Sequence, residues 1–246
     1  MIKIVQLLSL FIWHGAFRAL LSWPKFSLAS FSIVSRLKSE GVSPKTVIDI
    51  GANVGQFAVA SLRLFSDVYV FSIEPDSRTA DQLRHNLKSE RNSNVLVTAI
   101  GDYVGTVAFH VNSDSQVSSI LTLGSHRVLA FPEAKVVEEV SVPISTLDDL
   151  FIERKLEKPI LVKIDVQGAE DKVILGGVSF LRNVEWVVME MSFSNLYNGE
   201  MDFQKITNLM TENGFAFVRP LNFHISPLTN EIIEMDVLFR RFDSMR

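Results

Sequence analysis

The 246-residue sequence contains no cysteine. That removes disulfides, thiolate metal sites and a cysteine nucleophile, and it fits a reducing compartment. The cytoplasm is therefore the expected location. Positive charge is not in excess either: 24 Lys and Arg against 28 Asp and Glu leave a formal charge of -4. A chain without a basic footprint does not bind nucleic acid through a broad electrostatic surface, so no nucleic-acid partner is expected. Also missing are the Gly-Lys-Ser/Thr of a P-loop and the third glycine of a G-x-G-x-x-G dinucleotide turn. No internal repeat, low-complexity tract or linker interrupts the body of the chain, whose length suits one large α/β domain.

A long apolar run is nearly present at the start, in "MIKIVQLLSLFIWHGAFRALLSW", but His14 and Arg18 break the ~18 to 20 apolar residues that a spanning helix needs. Lys3, Gln6, His14, Arg18 and Ser22 fall roughly on one stripe of a helix. This amphipathic spacing suits packing on the body of the protein or on a second subunit as a homodimer, with peripheral membrane contact as the alternative. "FSIVSRLKSEGVSPKT" reads as a helix ended by Gly41 and a Pro44 turn, so residues 1–44 are expected to form a helical extension and 45–246 the main domain.

What is present from Thr46 onward is alternation. "TVIDI" is a strand, 54–65 a helix, "VYVFSIE" a strand, 77–88 a helix and "NVLVTAI" a strand. This order implies parallel strands with right-handed crossovers. The middle departs from it, with strands at "GTVAFHV" and "EEVSVPIS" around a polar loop, and a Thr-capped helix at "TLDDLFIERKL". The buried strand "PILVKIDV" resumes the pattern, followed by a helix over 169–175, the strand "VEWVVMEM" and a helix over 203–213. "FAFVRP" and "EMDVLFRR", joined around Pro227 and Asn230, suit an antiparallel hairpin at the sheet edge.

The turn in "VIDIGANVGQF" feeds a helix at the carboxyl edge of this sheet, where backbone N–H groups and the helix dipole can meet a ligand. Gly51 and Gly55 suit positions of positive φ or close approach. Glu74 ends the second strand about twenty residues on, where doubly wound folds place an acid on a ribose diol. Asp102, in "AIGD", passes the same edge and could reach an adenine amine. These features describe an adenosine site, and without phosphate-binding machinery they favour S-adenosylmethionine as the cofactor.

"VIDIGANVGQF", "SIEPD", "TAIGD", "FHVNSDSQVSSIL" and "LVKIDVQGAEDKVILGG" resemble, in order and spacing, the FkbM family of S-adenosylmethionine-dependent methyltransferases over about residues 45 to 240. The resemblance implies a Rossmann-like class I methyltransferase fold, a mostly parallel seven-stranded sheet with an antiparallel final hairpin. It also implies O-methylation of a hydroxyl on a sugar, glycan or natural-product-like small molecule. The cofactor contacts expected on this basis are Asp49, Gly51, Asn53, Gly55, Glu74, Pro75, Asp102 and Asp165. Position 167 is Gln where the family more often has Glu, and no catalytic role is assigned to it.

Methyl transfer to a hydroxyl needs in-line placement and a base or metal near the acceptor oxygen. Asp165 is the first candidate base or orienter, with Glu190 beside it on the next strand. The two could share a divalent cation, but without a clear third ligand no metal site is predicted. His110 is the third catalytic candidate, although Val107, Phe109 and Val111 claim the opposite face of its strand. His224 reads better as a surface histidine. Ser118 and Ser119 are read either as substrate contacts or as part of a solvated loop, and Lys163 is expected to neutralise a neighbouring acid. An NAD(P)-dependent oxidoreductase and a non-catalytic methyltransferase-like scaffold are the competing readings.

Overall fold

The computed structural model describes residues 27–193, 196–226 and 228–242. The amphipathic helix expected before Ser27, and Pro227 of the expected final turn, lie outside them. Helix α1 (Leu28–Ser39) is capped by the Ser27 side chain and buries Phe31, Ile33, Val34 and Leu37. The alternating region follows as β1 (Thr46–Ile50), α2 (Gln56–Leu64), β2 (Tyr69–Ile73), α3 (Ser77–Leu87) and β3 (Ser93–Leu96). The middle comprises β4 (Ala99–Ile100), β5 (Gly105–Asn112), α4 (Ser125–Ala130), β6 (Val136–Ser145) and α5 (Leu147–Phe151). The remainder is β7 (Ile160–Ile164), α6 (Glu170–Leu175), α7 (Val178–Leu181), β8 (Trp186–Ser192), α8 (Phe203–Glu212), β9 (Phe215–Ile225) and β10 (Ile232–Arg241).

Seven strands form one sheet in the order β3-β2-β1-β7-β8-β10-β9, parallel except that β10 runs against both β8 and β9. The chain builds outward from β1 to β3 and then returns to lay β7 on the other side of β1. That reversal opens a crevice at the carboxyl ends of β1 and β7, where ligands of open α/β sheets bind. Strand alternation assigns the two faces. Val47, Val70, Leu161 and Val188 pack with α1, α2 and α3. Ile48, Ile50, Val162, Ile164, Val187 and Met189 pack with side chains of α5 to α8. Helix α1, expected within an extension, shares the first of these cores. Arg36 donates to the Leu221 carbonyl of β9, and Arg240 of β10 to the Glu40 carbonyl.

The segment "NVLVTAI", which alternation reads as one strand, is divided between two sheets. β3 pairs with β2, whereas β4 joins a separate three-stranded sheet of order β4-β6-β5. Thr98 marks the change, its hydroxyl lying 3.1 Å from the Pro143 carbonyl of β6. A small core of Ala99, Phe109, Val142 and Ile144 fills this second sheet.

The small sheet meets the large unit where Gly176 follows α6. A Cβ built there would stand 1.9 Å from the Gly101 carbonyl oxygen, a backbone atom that cannot swing aside. Gly176→Ala is expected to lower stability by about 3 kcal/mol, the upper end of overpacking costs, read as a reduced urea midpoint with unchanged slope.

Candidate active site

A cavity of about 450 Å³ occupies the crevice, a size typical of small-ligand sites. Its lining includes Asp49, Gly51, Asn53, Glu74, Pro75 and Asp165 of the expected cofactor set, together with Glu190. Gly55, Asp102 and His110 are not among its lining residues. Asp102 is exposed beyond the end of β4, and Thr98, Ala99 and Ile100 border the cavity in its place. The reason is the division of "NVLVTAI", which carries the chain into the small sheet before it reaches Asp102. His110 lies on β5, an edge strand of that sheet, with its Nδ1 3.4 Å from Glu139.

The glycine turn uses its amides on the protein itself. Gly51 and Ala52 both donate to the Ile73 carbonyl at 3.0 Å, and Gly55 donates to Ala52 at 2.9 Å. Val54 donates to its neighbour's Asn53 Oδ1 at 2.7 Å. Asn53, in the left-handed region at φ 49, donates its amide to Glu74 Oε2 at 2.9 Å. Glu74 Oε1 accepts the Asp76 amide at 3.1 Å. The amides expected to face a ligand thus hold the strand-end carboxylate, and each Glu74 oxygen keeps a further acceptor direction. Burial pushes the Glu74 carboxyl up to about 7. Gly51 is required by the backbone rather than by a ligand: at φ +77, a Cβ would lie 1.8 Å from the Asp165 carbonyl oxygen.

Asp49 follows a different logic. It is 1 % exposed, and neither carboxylate oxygen has a hydrogen-bond partner at normal geometry, although the Ala58 amide lies close enough to favour its charge. Burial raises its carboxyl to about 7 against the attraction of Lys163. A buried acceptor left open beside a cavity suits a ligand that brings hydrogen-bond donors or positive charge.

Beyond β7 the segment "DVQGAE" forms a linked set. Lys163 pairs with Asp165 at 2.5 Å. Gln167 is in the left-handed region at φ 58. Its Nε2 donates to Asp165 Oδ1 at 2.8 Å and to Glu190 Oε2 at 2.5 Å, while its Oε1 accepts the Tyr197 hydroxyl at 2.6 Å. The amide supplies protons to two carboxylates that would otherwise repel each other. Gly168 leaves room for Tyr197, whose Cβ lies 2.8 Å and whose ring lies 3.0 Å from where a Cβ would be. Ser119, 1 % exposed, donates to the Gln167 carbonyl at 2.7 Å and is part of this support.

The two linked acids differ sharply. Burial disfavours the charge on Asp165, but Lys163 and the donated hydrogen bonds prevail and hold its carboxyl below the usual range. Burial, followed by the charges of Asp165, Glu234 and Asp236, pushes Glu190 well above it. His224 reaches the same cavity from β9, its Nε2 3.7 Å from Glu190 Oε1, while remaining exposed at the surface. Glu234 and Asp236 of β10 also line the cavity. Arg127, 7 % exposed, lies 3.1 Å from Glu234 and 4.9 Å from the centre of the Phe131 ring.

Gln167, Tyr197, Arg127, Glu234 and Asp236 were not identified from sequence. The one available signal was a pair of acids two residues apart in the otherwise apolar "IIEMDVLF", which places both on one strand face. Glu190, His224 and Glu234 bring one donor atom each within 4.8 Å of one another, a grouping that could hold a cation. Arg127, however, occupies both Glu234 oxygens, at 3.1 and 3.3 Å.

Glu170 carries a testable consequence. Its Oε1 accepts the Val166 and Gly168 amides at 3.3 and 3.2 Å, and burial raises its carboxyl to about 8. The folded chain therefore binds this proton more tightly than the unfolded chain, and Glu170 makes stability fall as pH rises between about 4.5 and 8. Glu170→Gln keeps the acceptor and removes the titration. Its stability relative to the parent is expected to improve by about 1 to 3 kcal/mol between pH 5 and pH 9, measured by urea unfolding.

Residues 49–217 match the family described as the methyltransferase FkbM domain. The 2-O-methyltransferase NoeI of Sinorhizobium fredii is 32% identical over 170 residues, 67% of this chain and 70% of that protein. The hexuronic acid methyltransferase AglP of Haloferax volcanii is 27% identical over 186 residues, 73% of this chain and 67% of that protein. A crystal structure of a SAM-dependent methyltransferase from Aquifex aeolicus superposes with a TM-score of 0.47 at 10% identity, covering 92% of this chain and 98% of that one. The family match runs from the end of β1 into β9 and takes in the glycine turn, Glu74, the "DVQGAE" segment and Glu190; the chain belongs to the FkbM family of methyltransferases.

Proposed function

We propose that the cavity binds S-adenosylmethionine and that the chain transfers its methyl group to a hydroxyl of a sugar or related polyhydroxylated small molecule. The observation that carries this reading is the pairing of an open buried carboxylate, Asp49, with a glycine turn whose amides are already engaged. Such a turn has no free cradle for a pyrophosphate, whereas a nucleoside bearing an amino acid brings donors and positive charge to the acids.

The methyl donor supplies an electrophilic carbon on a sulfonium. In this reading Glu74 accepts the ribose hydroxyls through its remaining lone pairs, beside Pro75, and Asp49 faces the amino-acid end. Thr98, Ala99 and Ile100 border the base. Asp165, held ionised by Lys163, supplies negative charge beside the sulfonium. Glu190 stands on the acceptor side, where a group with raised proton affinity suits a hydroxyl. NoeI is a 2-O-methyltransferase and AglP a hexuronic acid methyltransferase, which supports a hydroxyl acceptor on a sugar-like molecule. No helix among the described residues is long and apolar enough to cross a membrane. Action in the cytoplasm on a small molecule or glycan, with any dimer or membrane contact left to residues 1–26, belongs to the same proposal.

Calorimetry with S-adenosylhomocysteine tests the donor site. The expected result is single-site binding weakened about tenfold or more by Asp49→Asn or Glu74→Gln, with no heat from NADH. At a ligand concentration of 100 Kd the folded state should gain about 2.7 kcal/mol. A folded chain that takes up NADH and not the homocysteine ligand removes the proposal. Label transfer from tritiated S-adenosylmethionine to methyl glycosides of hexoses, deoxyhexoses and hexuronic acids tests the acceptor class.

A further inference from the structure

We infer that the methyl-accepting hydroxyl bridges Glu190 Oε1 and His224 Nε2, and that His224 takes its proton. This rests on the proposed transfer to a hydroxyl and specifies the groups that would activate it. Glu190 gives Oε2 to Gln167, leaving Oε1 opposite His224 Nε2 at 3.7 Å. That separation is too long for a direct hydrogen bond. It accommodates one oxygen about 2.8 Å from each atom, within ordinary hydrogen-bond range of both.

The neighbours fix which way the imidazole works. Asn222 Nδ2 lies 3.3 Å from Asp236 Oδ2 and 3.3 Å from His224 Nε2. A carboxylate only accepts, so the amide nitrogen belongs on this side and donates to Asp236; a substrate hydroxyl takes the single lone pair of His224 Nε2 in place of the long Asn222 contact. A hydroxyl between them brings one proton, which only one group can accept: His224 Nε2 takes it, while Glu190, whose proton affinity is raised by burial and the neighbouring acids, presents a proton to the same oxygen. The substrate hydroxyl reaches them from inside the cavity that both residues line.

The same pocket argues against a divalent cation in this position. A third ligand would have to come from Glu234, which is already paired with Arg127, whose positive charge opposes a second cation there. The charged groups around the pair are Arg127 of α4, Lys163 and Asp165 at the end of β7, and Glu234 and Asp236 of β10. His224 rather than Glu190 is the proton's destination because its side chain is 46% exposed, against 12% for Glu190, and can release the proton to water.

The atoms balance simply. A lone pair on the acceptor oxygen forms the O–C bond to the methyl carbon as the S–C bond breaks and its electrons remain on sulfur, giving a neutral thioether. The hydroxyl proton passes to His224 Nε2, and the imidazolium beside Glu190 returns it to solvent.

The test measures initial rates of tritium transfer to the methyl glycosides by the full chain, with calorimetry of S-adenosylhomocysteine alongside. For His224→Gln the expected result is unchanged homocysteine-ligand affinity, kcat reduced about 100-fold or more, and loss of the acid limb of the pH–rate profile. Imidazole in solution should restore transfer to His224→Ala, and Glu190→Ala, which removes the contact to the hydroxyl, should also reduce kcat. Transfer within threefold of the parent in His224→Gln overturns the inference while leaving the proposed function standing. Activity abolished by EDTA and restored by Mg²⁺ or Mn²⁺ also overturns it in favour of a metal. No binding of donor product and no transfer by the parent chain removes the parent reading and this inference together.

Discussion

Lys163 carries its ammonium into the middle of the seven-stranded sheet, where the residue is 6% exposed and, against the cost of burial, Asp165, Asp49 and Asp236 raise its proton affinity and keep it charged. The strand is buried on both faces, so a charge there is tolerable only if it is paired and hydrogen-bonded. The 2.5 Å contact with Asp165 meets that condition and anchors the acid at the end of β7. Removing one partner of such a buried pair costs about 3 to 5 kcal/mol, because the other charge is then stranded. The arrangement of the remaining acids follows from this cation. Asp165 is ionised, Gln167 is drawn between it and Glu190, and Glu190 is left with the higher proton affinity. A single buried lysine thereby distinguishes two adjacent carboxylates, one suited to opposing a positive donor and the other to receiving a hydroxyl.

The close approach of β1 and β7 sets the second constraint. Asp165 donates its amide to the Ile50 carbonyl at 3.1 Å, and Gly51 is small enough to let the Asp165 carbonyl lie over it. The glycines of the turn thus serve the protein's own backbone. With its amides bonded to Ile73 and Glu74, the turn is a rigid mount for a carboxylate and not an anion cradle. The bonded amides agree with the missing third glycine of a dinucleotide turn, since neither leaves a cradle for a pyrophosphate.

The sheet architecture was largely legible from periodicity. The strand–helix alternation, the parallel order and the closing antiparallel hairpin all appear where the pattern placed them, and Thr146 caps α5 as expected. Boundaries were less secure: α5 ends at Phe151 although apolar spacing continued beyond it. "NVLVTAI" carries one unbroken alternation, yet a change of sheet at Thr98 divides it, because alternation records which faces are buried and not which strand lies alongside. Asp102 was misplaced for that reason. His110 has the chemistry of a base but faces Glu139 on an edge strand, while His224, the less favoured histidine, reaches the cavity.

Sequence by itself determined the strand-end acids Asp49, Glu74, Asp165 and Glu190, because a buried parallel strand that stops at a carboxylate delivers it to one edge of the sheet whatever its neighbours are. It did not determine which groups meet there. Gln167, Tyr197, His224, Glu234 and Arg127 come from separate elements, and their contacts depend on the register of β8, β9 and β10 and on the left-handed turn at Gln167. Only tertiary structure decided these, since an antiparallel register shifted by one residue would turn His224, Glu234 and Asp236 to the opposite face and leave the local sequence pattern unchanged.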